Sequence, residues 1–274
     1  MLEKSRTLAA DQILFDWEDA VAPVQKEAAR AALTRALGGA GGFKAPLLSV
    51  RINTIGTPWY EDDIAALATI APHLTSIVLP KCAGASEIEK VAADLRKIEV
   101  DKEGEIGIDA QVESALGLVN CADIAAHPRV LSLSFGPLDF LADIGIATTG
   151  ELDSAARLIE FALCNVIVGA RSAGKLAFDG PVAEFRDQNK FEASALRSRA
   201  LGFDGKWVIH PDQLESCNRI FTPTKEEAAT AADLVAKYEA ALTKDGAISL
   251  GGTMVDEASY RIAQRTLRRS NAFS

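Results

Sequence analysis

The feature that most restricts the fold is the alternation of short, unbroken apolar runs with longer stretches whose apolar residues recur at helical spacing. The runs are ILFD at 13–16, LLSVRI at 47–52, SIVLP at 76–80, IGIDAQV at 106–112, VLSLSF at 130–135, KLAFD at 175–179 and KWVIH at 206–210. Helical spacing fills the intervals at 26–37, 61–70, 86–98, 115–126, 151–163 and 183–201. Runs without polar alternation suit strands covered on both faces, as in a parallel sheet wrapped by helices. Strict strand–helix alternation predicts an α/β fold, either a (β/α)8 TIM barrel or a doubly wound sheet. Seven runs are one short of a closed eight-stranded barrel. Beyond residue 223 the pattern changes to a helix at 225–242, a Gly- and Ser-containing loop at 245–253 and a helix at 257–267, with no strand expected after His210. This divides the chain into a barrel domain, 1–222, and a C-terminal helical extension or lid, 223–274.

Composition narrows the function. At 274 residues and 48% hydrophobic, the chain can bury a sizeable core. Its 29 basic against 38 acidic residues leave a net charge of −9, which excludes a general nucleic-acid binder resting on phosphate neutralisation. An anionic substrate must therefore meet a local basic pocket. No apolar stretch is long enough to span a membrane, and the opening MLEKSRTLAADQ has no signal-peptide core. Cys82, Cys121, Cys164 and Cys217 form no CxxC pair, which points to reduced thiols and a cytoplasmic location. GARSAGK at 169–175 imitates a phosphate loop, but Leu176 replaces the Ser/Thr and a helix precedes it where a strand should. The GGAGG at 38–42 likewise lies between a helix and a strand, as an ordinary connection.

Polar groups recur where the apolar runs stop: Asp16, Glu18 and Asp19, then Arg51 and Asn53, Lys81, Glu113, Asp139, Asp179 and His210. In parallel α/β folds the C-terminal strand ends build the site. A single charge there is usually a cap or a solvated turn, but seven strands ending this way mark a site. Glu113 and Asp139, on adjacent strand ends without Cys or His, suit a hard cation such as Mg²⁺ or Mn²⁺. An ion pair of Glu113 with Arg51 is the equally weighted structural alternative. Asp256, preceding the helix at 257–267, reads from its position alone as a helix cap.

The strings FDWEDAVAPVQKEAAR, VRIN, LPK, QVESALGLVNCADIA, SFGPLDF, GFDGKWVIHPDQ and GTMVDEA occur in this order. Together they resemble the HpcH/HpaI aldolase/citrate lyase β-subunit superfamily, nearest to its CitE-like coenzyme A ester lyases. The resemblance covers residues 2–269. It implies a (β/α)8 barrel assembled as homotrimers or hexamers, with a lid shared between subunits, that uses Mg²⁺ to break or form a carbon–carbon bond in an acyl-CoA. Carried residue by residue, it implies Glu113 and Asp139 as metal ligands, Arg51 as oxyanion binder, Asp256 as acid/base and Glu18 as holder of metal-bound water. It also implies Lys26 and Arg30 near the coenzyme A phosphates, and Lys81, Gly136 and Leu138 among the substrate contacts. Family members open with an LFVPG-like strand before a helix resembling MLEKSRTLAAD. The chain begins inside that helix, so the expected barrel lacks its first strand, through a misassigned start or an internal Met. Pro137 removes one N–H from the metal loop. The activity expected is a lyase of the malyl-CoA or citramalyl-CoA type, yielding acetyl-CoA and glyoxylate or pyruvate. The alternatives are a malyl-CoA thioesterase, a citrate lyase β subunit working on an acyl carrier, and a non-catalytic barrel subunit.

Overall fold

The computed structural model describes residues 2–39, 42–99, 103–146, 152–241, 248–250 and 253–272. It divides into two compact units, Met1–Cys217 and Asn218–Ser274. In the first unit seven strands, β1 (Gln12–Asp16), β2 (Leu47–Arg51), β3 (Ser76–Leu79), β4 (Gly107–Val112), β5 (Val130–Phe135), β6 (Leu176–Asp179) and β7 (Gly205–Lys206), pair in parallel and in chain order. The helices of this unit are α1 (Leu2–Ser5), α2 (Lys26–Gly38), α3 (Tyr60–Ile70), α4 (Ala85–Ile98), α5 (Ala115–Val119), α6 (Cys121–Ala126), α7 (Pro137–Ile144), α8 (Leu152–Ser172) and α9 (Gln188–Leu201). Helix α10 (Leu214–Phe221) leads into the second unit, which holds α11 (Lys225–Ala241), an antiparallel hairpin of β8 (Ile248–Leu250) and β9 (Thr253–Val255), and α12 (Glu257–Ala272).

The sheet curls strongly. Strands lie about 4.8 Å apart, so in a flat sheet β1 and β4 would be separated by about 14 Å and β2 and β7 by about 24 Å. Yet Gln12 Nε2 on β1 reaches Asp109 Oδ2 on β4 at 3.4 Å, and the Arg51 guanidinium at the end of β2 lies 5.9 Å from the Trp207 ring just past β7. The outer face packs Ile13, Phe15, Val50, Ile77, Ile108 and Leu133 against the helices, all buried. The inner face is polar at its lower end. Asp109 accepts hydrogen bonds from Ser76 Oγ (2.5 Å) and Ser132 Oγ (2.6 Å), and Ser76 Oγ meets Ser49 Oγ at 2.6 Å. One strand layer above, Gln111 and Ser134 are paired in register, with Gln111 Oε1 and Ser134 Oγ buried and unpartnered.

Among the described residues the sheet has seven strands, the number expected of a barrel that lacks its first strand; no ladder joins β1 to β7, so what is observed is a curled, open parallel sheet. Two other expectations need correction. The helix expected at 115–126 is two helices, because Asn120 turns its side chain out to donate to the Ala83 carbonyl at 2.7 Å. And strands do follow His210, as β8 and β9. The loop expected at 245–253 hides them, its flanking parts lying outside the described residues. Strand β7 is also shorter than KWVIH suggests, since Pro211 starts a 3₁₀ turn capped by His210. GARSAGK forms the last turn of α8 and the short connection to β6, the helix-then-strand order expected.

Candidate active site

The strand ends gather their polar side chains around Glu18, Lys81 and Glu113. Asp16, at the last position of β1, clamps Arg51 through Nε (2.9 Å) and Nη2 (2.6 Å). The same carboxylate accepts the main-chain N–H groups of Glu18 (2.9 Å) and Ala20 (3.1 Å), which fixes the loop after β1. Burial opposes the charge on Asp16, but the guanidinium and the two N–H groups hold its pKa below the usual carboxylate value. Arg51 Nη1 lies 3.1 Å from Glu18 Oε2. Burial works against the guanidinium as well, but Asp16, Glu18 and Glu113 more than compensate and raise its pKa. Glu18 is only 5% exposed. Burial outweighs its two cations, Lys81 and Arg51, so its pKa rises.

Glu113 follows β4 and is 3% exposed. Its Oε2 accepts the main-chain N–H of Lys81 at 2.9 Å. Burial, reinforced by the like charge of Asp139, pushes its pKa up to about 7. Gly136, the residue after β5, makes room for it: a Cβ there would fall 2.1 Å from Glu113 Oε1. Pro137 opens α7 directly afterwards, which sets Asp139 in the first turn with its side chain 42% exposed. The ammonium of Lys81 contacts Glu18 and lies 3.4 Å from Asp19 Oδ2 and 3.9 Å from Asp139 Oδ1. Lys81 holds φ = 52° and is, among the described residues, the only non-glycine one with positive φ.

The donor set fits a divalent cation. Around these strand ends the carboxylates Asp16, Glu18, Asp19, Glu113 and Asp139 outnumber the cations Arg51 and Lys81 that lie among them. They form an oxygen-only donor set of the kind a hard divalent cation takes. Glu113, whose charge burial and the neighbouring Asp139 disfavour, has most to gain from such an ion. Among the described residues no three carboxylate, His or Cys side chains converge as a ready-made ligand cage.

Not every expected residue joins the cluster. The alternative pairing of Glu113 with Arg51 is not formed, because Asp16 and Glu18 take the guanidinium. Lys26 is buried and donates to the carbonyls of Trp17 and Glu18, both at 2.8 Å, with its ammonium 4.9 Å from the Trp59 ring. Arg30 is buried against Asp63 (2.8 Å) and Asp62 (3.1 Å). Both therefore brace the loops after β1 and β2 and present no free charge for a coenzyme A phosphate. Asp179 is spent on Lys206 and Ser198, both at 2.5 Å. His210 caps its turn and stacks on Phe185 with ring centroids 5.2 Å apart. Leu138 is 63% exposed at the head of α7. In the second unit Asp256 caps α12, accepting from the Ser259 N–H (2.9 Å) and Oγ (3.0 Å), which lowers its pKa. What the sequence reading missed is the Asp16 clamp and the central place of Lys81. The first has a signal in retrospect, an Asp and an Arg closing neighbouring strands.

Residues 1–211 match the family model described as HpcH/HpaI aldolase/citrate lyase. An L-malyl-CoA/beta-methylmalyl-CoA lyase of Cereibacter sphaeroides is 34% identical over 292 residues, covering 100% of this chain and 92% of the relative. A (3S)-malyl-CoA thioesterase from the same species is also 34% identical, over 274 residues, covering 100% and 91%. Among solved structures, Mycobacterium tuberculosis CitE in complex with magnesium, acetoacetate and coenzyme A superposes with a TM-score of 0.73 at 30% identity, covering 96% of this chain and 91% of that one.

Proposed function

Because the chain belongs to the HpcH/HpaI aldolase/citrate lyase family, we propose that it is a Mg²⁺-dependent carbon–carbon lyase that cleaves or forms a 3-hydroxyacyl-CoA. Malyl-CoA or citramalyl-CoA is the substrate type, with acetyl-CoA and glyoxylate or pyruvate as products. The observation that carries this reading is the buried Glu113, seated on Gly136 beside Asp139 at adjacent strand ends, in a chain alike end to end with a malyl-CoA lyase. Glu113 and Asp139 would hold the ion, with Glu18 next to them on its water. Mn²⁺ suits the same oxygen donors. When bound, the ion polarises the carbonyl of the keto acid as a Lewis acid.

The chain's own residues supply the rest. Cleavage passes the substrate 3-hydroxyl proton to Asp256 as the acid/base, breaks the bond between carbons 2 and 3, releases the keto acid and leaves an enolate on the thioester. Asp16 aims the Arg51 guanidinium with only part of its five N–H donors, so the remainder can face that enolate oxygen, where charge develops in the transition state. Asp256 then returns a proton to the thioester α-carbon. As a half-buried cap its pKa is lowered, which works against this role. The role therefore needs the second unit to act as a lid that closes the site and dries it. We assign the barrel-wall domain to 1–222 and the lid to 223–274, with the lid serving a neighbouring subunit in a homotrimer or hexamer. A cytoplasmic location follows from an acyl-CoA substrate. Among the described residues no helix is long and apolar enough to cross a membrane.

A thioesterase is the second reading, favoured by the equal likeness to the malyl-CoA thioesterase. One coupled assay separates the two. With malyl-CoA and Mg²⁺, a lyase releases glyoxylate and acetyl-CoA, while a thioesterase releases malate and free coenzyme A thiol. Free thiol without keto acid overturns the lyase reading.

A further inference from the structure

Lys81 touches the site in two independent ways. Its main-chain N–H donates to Glu113 at 2.9 Å, from a left-handed backbone (φ = 52°) that a lysine adopts only when its surroundings impose it. Its ammonium contacts Glu18 and sits 3.4 Å from Asp19 and 3.9 Å from Asp139. The side chain is 36% exposed, so it has room to withdraw without unpacking the core. A single positive charge thus stands among the carboxylates that would surround a divalent cation.

We propose that Lys81 is an internal counter-cation that competes with the divalent ion, while its backbone positions Glu113. This rests on the metal reading of the site given above. Deleting the Lys81 ammonium leaves Glu18, Asp19 and Asp139 without the positive charge that now lies among them. The ammonium also repels a divalent ion directly, and like charges a few ångströms apart interact appreciably even in a partly solvated site. The consequence is a binding site deliberately weakened, able to hold its ion firmly only once substrate oxygens join. Lys81 is then a positioning residue, and its two functions separate by mutation. Glycine at 81 keeps the left-handed backbone at no cost and deletes the charge. Methionine deletes the charge and keeps the stem. Arginine keeps the charge.

The test is Mn²⁺ binding to the full-length protein without substrate, read by electron paramagnetic resonance of the free ion and by calorimetry. Lys81→Met and Lys81→Gly should both bind Mn²⁺ more tightly than wild type, by about tenfold at low ionic strength with the gain shrinking as salt rises. Lys81→Arg should stay within about threefold of wild type, since the charge is retained. Variants whose far-ultraviolet circular dichroism matches wild type but which bind Mn²⁺ equally or less tightly overturn the proposal. So does a gain that salt leaves untouched. If neither wild type nor Lys81→Met shows a stoichiometric Mn²⁺ site, the metal reading itself falls. A wild-type site with unchanged charge-deleted variants removes only the role given to Lys81.

Discussion

Glu113 is held where its own charge is unwelcome, and that tension is a product of two neighbours, Gly136 and Asp139. Gly136 lets the carboxylate into a space a methyl group would occupy, since a Cβ would lie 2.1 Å from Oε1. Gly136→Ala should therefore move the carboxylate by a fraction of an ångström to an ångström. We expect activity to fall about 10²-fold, the scale of a small misplacement of a reacting group, with unchanged circular dichroism. Glu113→Gln and Asp139→Asn should abolish Mg²⁺-dependent turnover while leaving the fold intact. Wild-type turnover in either variant, at unchanged Mg²⁺ requirement, would remove both from the metal site. Lys26 gives the opposite expectation. Its ammonium satisfies two buried carbonyls, so Lys26→Met should cost about 1–3 kcal/mol of stability in urea titrations. KM for the acyl-CoA should be unchanged, and a marked rise in KM would restore Lys26 to the thioester pocket.

The polar layer inside the sheet belongs to the strands as a set. Gln12, Ser49, Ser76, Asp109 and Ser132 come one from each of β1 to β5 and meet because the sheet curls. Among the described residues Asp109 has no cation as a hydrogen-bond partner, and burial raises its pKa despite the side chains that donate to it. A carboxyl whose pKa is higher folded than unfolded keeps its proton longer in the folded chain, so this group's contribution to stability falls as pH rises above about 4. Asp109→Asn should flatten that loss and raise Tm relative to wild type at neutral pH, whereas Asp109→Leu, which strands Ser76 and Ser132, should lower stability by about 2–4 kcal/mol. An Asp109→Asn Tm that tracks wild type from pH 4 to 8 would show that the group is not strained. At this scale the sequence was readable where physics is local. Six of the seven parallel strands follow from unbroken apolar runs, whereas β7 shares only Lys206 with the run at 206–210 and α8 extends to Ser172, beyond the helix expected at 151–163. Hairpin β8–β9 was not read, although ISL and TMV flank a Gly-Gly pair that is itself a hairpin signal. Nor was the purpose of Lys26 and Arg30 readable, because a buried basic residue looks like a ligand site until its carbonyl or carboxylate partners arrive from distant loops. Glu113 and Asp139 were legible for the converse reason: they end adjacent strands, and strand order followed chain order.

At the scale of the molecule, the lid role proposed for the second unit has a direct test. If the lid serves a neighbour, Asp256→Asn and Glu113→Gln protein, each inactive alone, should regain activity when mixed and re-equilibrated, because some hybrid sites combine an intact wall with an intact lid. Hybrid oligomers, verified by native mass spectrometry, that remain inactive would place the lid in cis or leave Asp256 as a cap. The order of the sheet carries one more consequence, for the birth of the protein. Every strand pairs with the strand made just before it, so the wall can grow one unit at a time as the chain leaves the ribosome, each helix docking on a sheet already present. Nothing in that growth needs the C-terminus. The bend of the wall, however, waits for Asp109: Gln12 emerges first, and the residue it reaches on β4 follows 97 positions later. The nascent sheet is thus free to lie flatter until its fourth strand appears, and an arrested chain ending soon after residue 112 is the earliest that should resist protease as a curved unit.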